Sequence, residues 1–280
     1  MASALHNATS GGNKEEVKRL LNSEGINVNY RESDGVTLLT TAIKGRNKVW
    51  NKVVDLLLKE KDIDVNQADQ DGHTPLHIAV LMENCKAVEL LLGHEGIQID
   101  LANEYGETPL ILASEWGHLE IAKLLLGAGD INVNQADVDG YTPLITAANN
   151  GHEEMVALLL GEEKIQVNLA DKEGKTPLYC ALSLSGDQVG CLNRCRIIDL
   201  IKSKITRPVN KDPICIVCFD RKPDVFLEPC GHHNLCGPCA HQWNEVEKRC
   251  PMDRLRIWEI RPLERESENG EEDNSTKHDE

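Results

Sequence analysis

Thr-Pro-Leu occurs at Thr74, Thr108, Thr142 and Thr176, each copy 34 residues after the last, and a degenerate Thr-Leu-Leu stands at Thr37. A chain that repeats itself at this period builds one supersecondary unit many times over, which restricts the fold more tightly than any single motif. A variant of one phrase precedes each copy: Ile63-Asp-Val-Asn-Gln-Ala-Asp69, Ile97-Gln-Ile-Asp-Leu-Ala-Asn103, Ile131-Asn-Val-Asn-Gln-Ala-Asp137 and Ile165-Gln-Val-Asn-Leu-Ala-Asp171. Behind each copy apolar residues return at helical spacing, as Ile121, Leu124 and Leu125 do one helix after Ala113.

Each slot has a physical reason. Gly72, Gly106, Gly140 and Gly174 close Asp/Asn-x-x turns, where a residue without Cβ takes positive φ. The Thr caps a first helix, and the Pro after it lacks an N–H that a helix start leaves unpaired anyway. Ala79, Ala113 and Ala147 let two antiparallel helices approach, and Leu90, Leu124 and Leu158 are expected to fill the gap to the next unit. No unit buries its own apolar face, so stability is shared between neighbours. Aromatic residues are 4% of the chain, which suits thin aliphatic layers.

These residues resemble the ankyrin repeat, over about residues 1–205. The resemblance implies a mostly α fold, a helical solenoid of about six repeats with atypical first and last units. Residues 1–33 keep Leu5, Ala8, Val17, Leu20 and Leu21 without a preceding finger, as an N-terminal cap would. The second unit carries about three extra residues around Gly45–Lys52. The sixth has a longer insertion, Ser183–Arg196, either a loop or a helix extension, before Ile197–Ile201 resumes the helical pattern. The family uses a histidine at the place of His77 for local hydrogen bonding. The fingers and first helices of such arrays form a concave binding surface. There the scaffold leaves free Gln70, His73, Leu81, Met82, Tyr105, Glu107, Trp116, Val138, Tyr141 and Asn149. Tyr105, Trp116 and Tyr141 are not demanded by the repeat and are the candidate substrate contacts.

After Lys204 the pattern stops. Residues 206–211 read as a linker, and six of the ten cysteines then form a ladder: Cys215-Ile-Val-Cys218, Cys230-Gly-His232, Cys236-Gly-Pro-Cys239 and Cys250-Pro-Met-Asp253. Two residues between thiols let a tight turn aim both at one tetrahedral ion, and eight ligands serve two ions. The ladder resembles a RING finger over residues 212–262, a small zinc-stabilised α+β domain. The resemblance implies Zn2+ held by Cys215, Cys218, Cys236 and Cys239 at one site and by Cys230, His232, Cys250 and Asp253 at the other. His232 is favoured over His233 because Cys-Gly-His, three residues and Cys matches the inhibitor-of-apoptosis ligases. Asp253 departs from the usual cysteine, as in the ring-box subunit of cullin ligases.

RING fingers hold a ubiquitin-charged E2 enzyme in an attack-ready posture and form no covalent intermediate themselves. The family's E2-facing positions fall on Val217, Trp243 and Pro251, and its linchpin, the catalytic position, on Arg254. The function implied is that of a RING-type E3 ubiquitin ligase whose repeats bind a protein substrate. The rival is a non-catalytic adaptor, which Asp253 keeps open. Leu255–Ile260 alternates apolar and polar residues like a half-buried strand, and a strand there mediates homodimerisation in some ligases.

Net charge is -16, from 30 Lys+Arg against 46 Asp+Glu, which argues against nucleic-acid and anionic-membrane partners. No signal peptide is expected from the first residues, so Cys85, Cys180, Cys191 and Cys195 are expected as reduced thiols in a cytoplasmic or nuclear protein. Residues 263–280 are expected to be an acidic disordered tail.

Overall fold

The structure, a computed structural model, describes residues 2–23, 25–32, 35–45, 48–129, 131–183, 188–204, 225–228 and 259–262. The chain divides into two compact units, Met1–Pro208 and Val209–Glu280.

The first unit is built of helix pairs: α1 (Ala2–Ser10) with α2 (Lys14–Leu21), α3 (Leu38–Lys44) with α4 (Lys48–Leu57), α5 (Pro75–Leu81) with α6 (Cys85–Leu92), α7 (Pro109–Trp116) with α8 (Leu119–Gly127), α9 (Pro143–Asn149) with α10 (Glu153–Leu159), and α11 (Pro177–Ser183) with α12 (Gln188–Lys204). First helices pack in chain order on first helices, and second helices on second helices. Two helical layers result, each layer covering what its own members leave bare.

Local chemistry starts each pair. The Thr74, Thr108 and Thr142 hydroxyls accept from the N–H groups of His77, Ile111 and Ile145, with proline as the next residue. His77 is fully buried between units: its Nδ1 accepts from the Thr74 N–H at 3.1 Å and its Nε2 meets the Glu107 carbonyl at 2.9 Å. Burial pushes its pKa down to about 4, so it is neutral at pH 7. Its role is the structural one expected.

Ala79, Ala113 and Ala147 are fully buried, as are Leu91, Leu125 and Leu159. Leu90, Leu124 and Leu158 are only half-buried, against expectation. One residue along a helix turns the side chain by about 100°, and the leucine that faces the layer is the second of each pair. In the first unit Leu5 and Val17 are fully buried, with Ala8 and Leu20 nearly so, whereas Leu21 is half-buried. The three extra residues near Gly45–Lys52 leave the turn between helices unchanged in length. They lengthen the start of α4, which begins four residues ahead of Lys52, where α6 begins one residue ahead of Lys86. The later insertion is likewise helical from Gln188 on, giving α12 17 residues.

Between pairs, each finger is a short hairpin. The Asn103 N–H donates to the Glu107 carbonyl at 3.0 Å, and the Asn103 Oδ1 accepts from the N–H groups of Tyr105 and Glu107. Asp69, Asp137 and Asp171 make the same turn. Neighbouring fingertips are joined by backbone bonds: Glu104 N–H to Asp71 carbonyl, Val138 N–H to Tyr105 carbonyl and Lys172 N–H to Asp139 carbonyl, at 3.0–3.1 Å. Gly106 shows why glycine is needed. Its φ is 77°, and a Cβ there would lie 2.7 Å from the Val138 nitrogen.

A second ladder runs through the repeated phrase. Asn66 donates to the Gly96 carbonyl at 2.8 Å and accepts from the Gln98 N–H at 2.9 Å; Asn29 and Asn134 do the same for Asp62 with Asp64 and for Lys164 with Gln166. Asp100 occupies this place in the third finger and, having no N–H, only accepts, from Asn132 at 2.8 Å.

In the second unit β1 (Val225–Glu228) pairs antiparallel with β2 (Glu259–Pro262), with Val225 opposite Pro262 and Glu228 opposite Glu259. The alternation at 255–260 led us to expect a strand there. It is observed from Glu259 on, while 255–258 lie outside the described residues.

Candidate functional site

On the face made by the fingers and first helices, a cleft of ≈ 210 Å³ opens between the third and fourth helix pairs after the cap. Glu107 enters it from a finger, and Ile111 and Glu115 from α7, one helical turn apart. Asp137, Tyr141 and Asn149 supply the opposite wall. Burial raises the Glu115 carboxyl above its ordinary pKa, and the Glu107 charge adds to the rise. Burial also raises the Tyr141 phenol, with a further push from Asp171. The cleft therefore holds carboxylates with no cation among its lining residues.

Tyr105 and Trp116 are exposed, at 56% and 59%, and Tyr141 is half-buried. No ring contact among the described residues joins the three. Tyr105 lies on one fingertip, hydrogen-bonded through its carbonyl to exposed Val138 on the next, while Trp116 follows Glu115 at the end of α7. Tyr141 lines the acidic cleft, while Tyr105 and Trp116 are not among its lining residues. The sequence reading singled out Glu107, Tyr141 and Asn149 but missed Glu115 and Asp137. Glu115 falls in register with Leu81 and Asn149, both named as free positions, and that register was the available signal.

Cys215, Cys218, Cys230, His232, Cys236, Cys239, Cys250 and Asp253 lie outside the described residues, as do Val217, Trp243, Pro251 and Arg254. The paired strands bracket part of this set: Cys230 follows β1 by two residues, and Asp253 precedes β2 by six. The last six donors thus fall between Glu228 and Glu259, which the ladder holds opposite one another.

The family described as "Ankyrin repeats (3 copies)" matches residues 2–69, 47–137 and 128–198. The chain is an ankyrin-repeat protein. A second family, "Zinc finger, C3HC4 type (RING finger)", matches residues 211–260 of this ankyrin-repeat protein, so a RING finger follows the array. A stretch of 46 residues is 41% identical to the E3 ubiquitin-protein ligase NEURL3 of Rattus norvegicus, covering 16% of this chain and 18% of that protein. Another of 50 residues is 32% identical to the E3 ubiquitin-protein ligase APD1 of Arabidopsis thaliana, over 18% of this chain and 11% of that protein. The matched stretch is thus less than a fifth of each relative's length. The crystal structure of EF0377, an ankyrin-repeat protein, superposes with a TM-score of 0.63 at 23% identity, over 72% of this chain and 98% of that one, a likeness of fold.

A RING finger binds zinc, and the donors present suit it. Six thiolates, one imidazole and one carboxylate are the nitrogen, sulfur and oxygen ligands a closed tetrahedral site takes. Among the described residues no helix is long and apolar enough to cross a membrane.

Proposed function

We propose that this ankyrin–RING protein is an E3 ubiquitin ligase in which the array, residues 1–205, recruits a protein substrate and the RING, residues 212–262, activates a ubiquitin-charged E2. The observation that carries the reading is the coincidence of the RING match at 211–260 with eight metal donors in register. In this reading Cys215, Cys218, Cys236 and Cys239 hold one zinc and Cys230, His232, Cys250 and Asp253 the other. Bound zinc supplies folding free energy, on the order of 10–16 kcal/mol per structural site in peptide systems.

Val217, Trp243 and Pro251 form the apolar dock for the E2, with the tryptophan as an interface anchor. Arg254 is the linchpin, its planar guanidinium donating to E2 and ubiquitin together. A lysine amine of the substrate attacks the thioester carbonyl, an isopeptide bond forms, and the E2 thiolate leaves. The ligase contributes orientation and restricted freedom. With purified E1, E2 and ubiquitin, the wild type is expected to build ubiquitin chains on itself, and Val217→Ala and Arg254→Ala are not. Equal activity in all three proteins removes the assigned roles.

Asp253 favours a second reading, an adaptor whose RING only docks or dimerises. Two zinc ions per chain by elemental analysis support the ligase, and one supports the adaptor. Self-association through β2 belongs to both readings, and elution at the mass of one chain removes it.

A further inference from the structure

The cleft between Glu107, Glu115 and Tyr141 lies where the inter-repeat contacts stop matching. At the preceding junction His73 and Asn103 meet, the Asn103 Nδ2 lying 3.2 Å from the His73 Nε2 and donating to Glu107 at 2.7 Å. One repeat later the equivalent places hold Glu107 and Asp137, two carboxylates that line one cleft. One further on they hold Tyr141 and Asp171. Asp171 lies outside the cleft lining and is 7% exposed; its Oδ1 accepts from the Glu173 and Lys175 N–H groups, and its Oδ2 has no hydrogen-bond partner among the described residues. Glu107 and Asp137 are half-buried and accept hydrogen bonds within the array, Glu107 from Asn103 and Asp137 from the N–H groups of Asp139 and Tyr141, so what this junction lacks is a countercharge and not a donor.

Among the described residues no cation lines the cleft, although Lys175 acts electrostatically on Tyr141. Residues 71–160 hold fourteen Asp and Glu against Lys86 and Lys123. Both lysines lie on second helices and are paired there, Lys86 with Glu89 at 2.8 Å and Lys123 with Glu120 at 2.7 Å. Lys175, on the next finger, is paired with Glu173. The rest of the cleft suits the stem of a long cationic side chain, with Ile111 on one wall and the Tyr141 ring on the other. A cation over such a ring gains further attraction. Exposed Tyr105, Val138 and Trp116 each stand within two residues of a cleft residue along the chain and offer apolar surface for the flanking residues of an extended chain.

We infer that the cleft receives a lysine or arginine side chain from a basic, extended segment of the recruited protein, whose apolar neighbours lie on Tyr105, Val138 and Trp116. The inference rests on the proposed recruitment of a protein by the array, and it names the chemistry of what is recruited. It stands apart from ubiquitin transfer.

The test uses the full zinc-loaded chain to select from a phage-displayed library of random dodecapeptides, followed by fluorescence anisotropy with the selected sequences. Selected peptides are expected to carry a lysine or arginine beside apolar residues. The double variant Glu107→Gln/Glu115→Gln is expected to bind them about tenfold or more weakly, as loss of partners to a desolvated charge does. Asp139→Asn, an exposed acid outside the cleft, is expected to leave affinity within about twofold, as rim charges do. Failure to select any peptide, selection of peptides without a cation, or equal loss in both variants would overturn the inference. An unchanged circular-dichroism melt certifies the fold of each variant. Autoubiquitination of the double variant at the wild-type rate separates this site from the RING: selection without ubiquitin transfer removes the ligase reading and leaves this one standing.

Discussion

The array and the segment between β1 and β2 solve the same problem with different materials. In the array each helix pair lacks a covered face, and neighbours cover it with Leu57, Leu91, Leu125 and Leu159, none of which reaches solvent. Closure there is local, since every unit meets only the one before and the one after. Between Glu228 and Glu259, by contrast, a four-residue ladder closes residues 229–258, and a two-stranded sheet by itself is marginal in water. Burial is spread over many layers in one region; in the other, on the ligand set proposed above, a few metal donors of high affinity would take its place. Damage to the first should therefore be graded, and damage to the second all-or-none.

Zinc removal is the largest expected break in that contrast. Chelation should abolish amide protection across residues 212–262, a loss on the order of 10 kcal/mol or more per site, while protection in the array persists. Hydrogen exchange resolved by peptide reads both regions in one sample, and a parallel loss in the array would end the idea of separate means.

Truncating Leu125→Ala should cost about 2–5 kcal/mol in urea unfolding, since the side chain is fully buried. Zinc content should not change.

Acid tests the His77 junction. Its folded pKa is depressed to about 4 from 6.5, so the unfolded chain takes the proton first as pH falls. The stability from neutral His77 is complete above pH 6.5 and is lost between there and pH 4, on the order of 3 kcal/mol in all. The stability difference between wild type and His77→Asn in urea should shrink through that window, and a constant difference would show that another group titrates instead.

Two glycines sharpen the comparison within the array. Gly106→Ala combines positive φ with a close backbone neighbour, whereas at Gly174, φ 81°, no described atom lies within 4 Å of the added Cβ. The first should cost about 1–3 kcal/mol and the second about 1 kcal/mol. Equal melting shifts would remove the role given to fingertip contact. The smallest effect expected is a gain: Asp100→Asn restores the missing donor of the asparagine ladder and should stabilise by about 1 kcal/mol or less.

Much of the array was legible because its constraints are local. A Thr cap, a Pro after it and a turn glycine each answer to the backbone within a few residues, and all three appear where the spacing placed them. The paired roles of Asn29, Asn66 and Asn134 were not legible, since their partners lie 30 to 35 residues away and are backbone groups that no side-chain pattern marks. Choosing Leu90 over Leu91 failed for another reason: adjacent leucines carry equal hydrophobicity, and only the rotation of the packed helix separates them. The cleft was half legible. Glu107 and Tyr141 fell in positions the scaffold leaves free, but the raised carboxyl of Glu115 depends on burial against the next pair. The metal ligands stand on spacing and family resemblance alone.

The fingertip bonds from Glu104 to Asp71, from Val138 to Tyr105 and from Lys172 to Asp139 use main-chain atoms at both ends. Any amino acid except proline at the donor place carries the required group, so the joint is indifferent to what the tip displays. A copied or deleted 34-residue block would splice into the series with its connectors already in place. Tip residues are thereby released to vary with the ligand, and the length of the series becomes a variable that selection adjusts in whole steps.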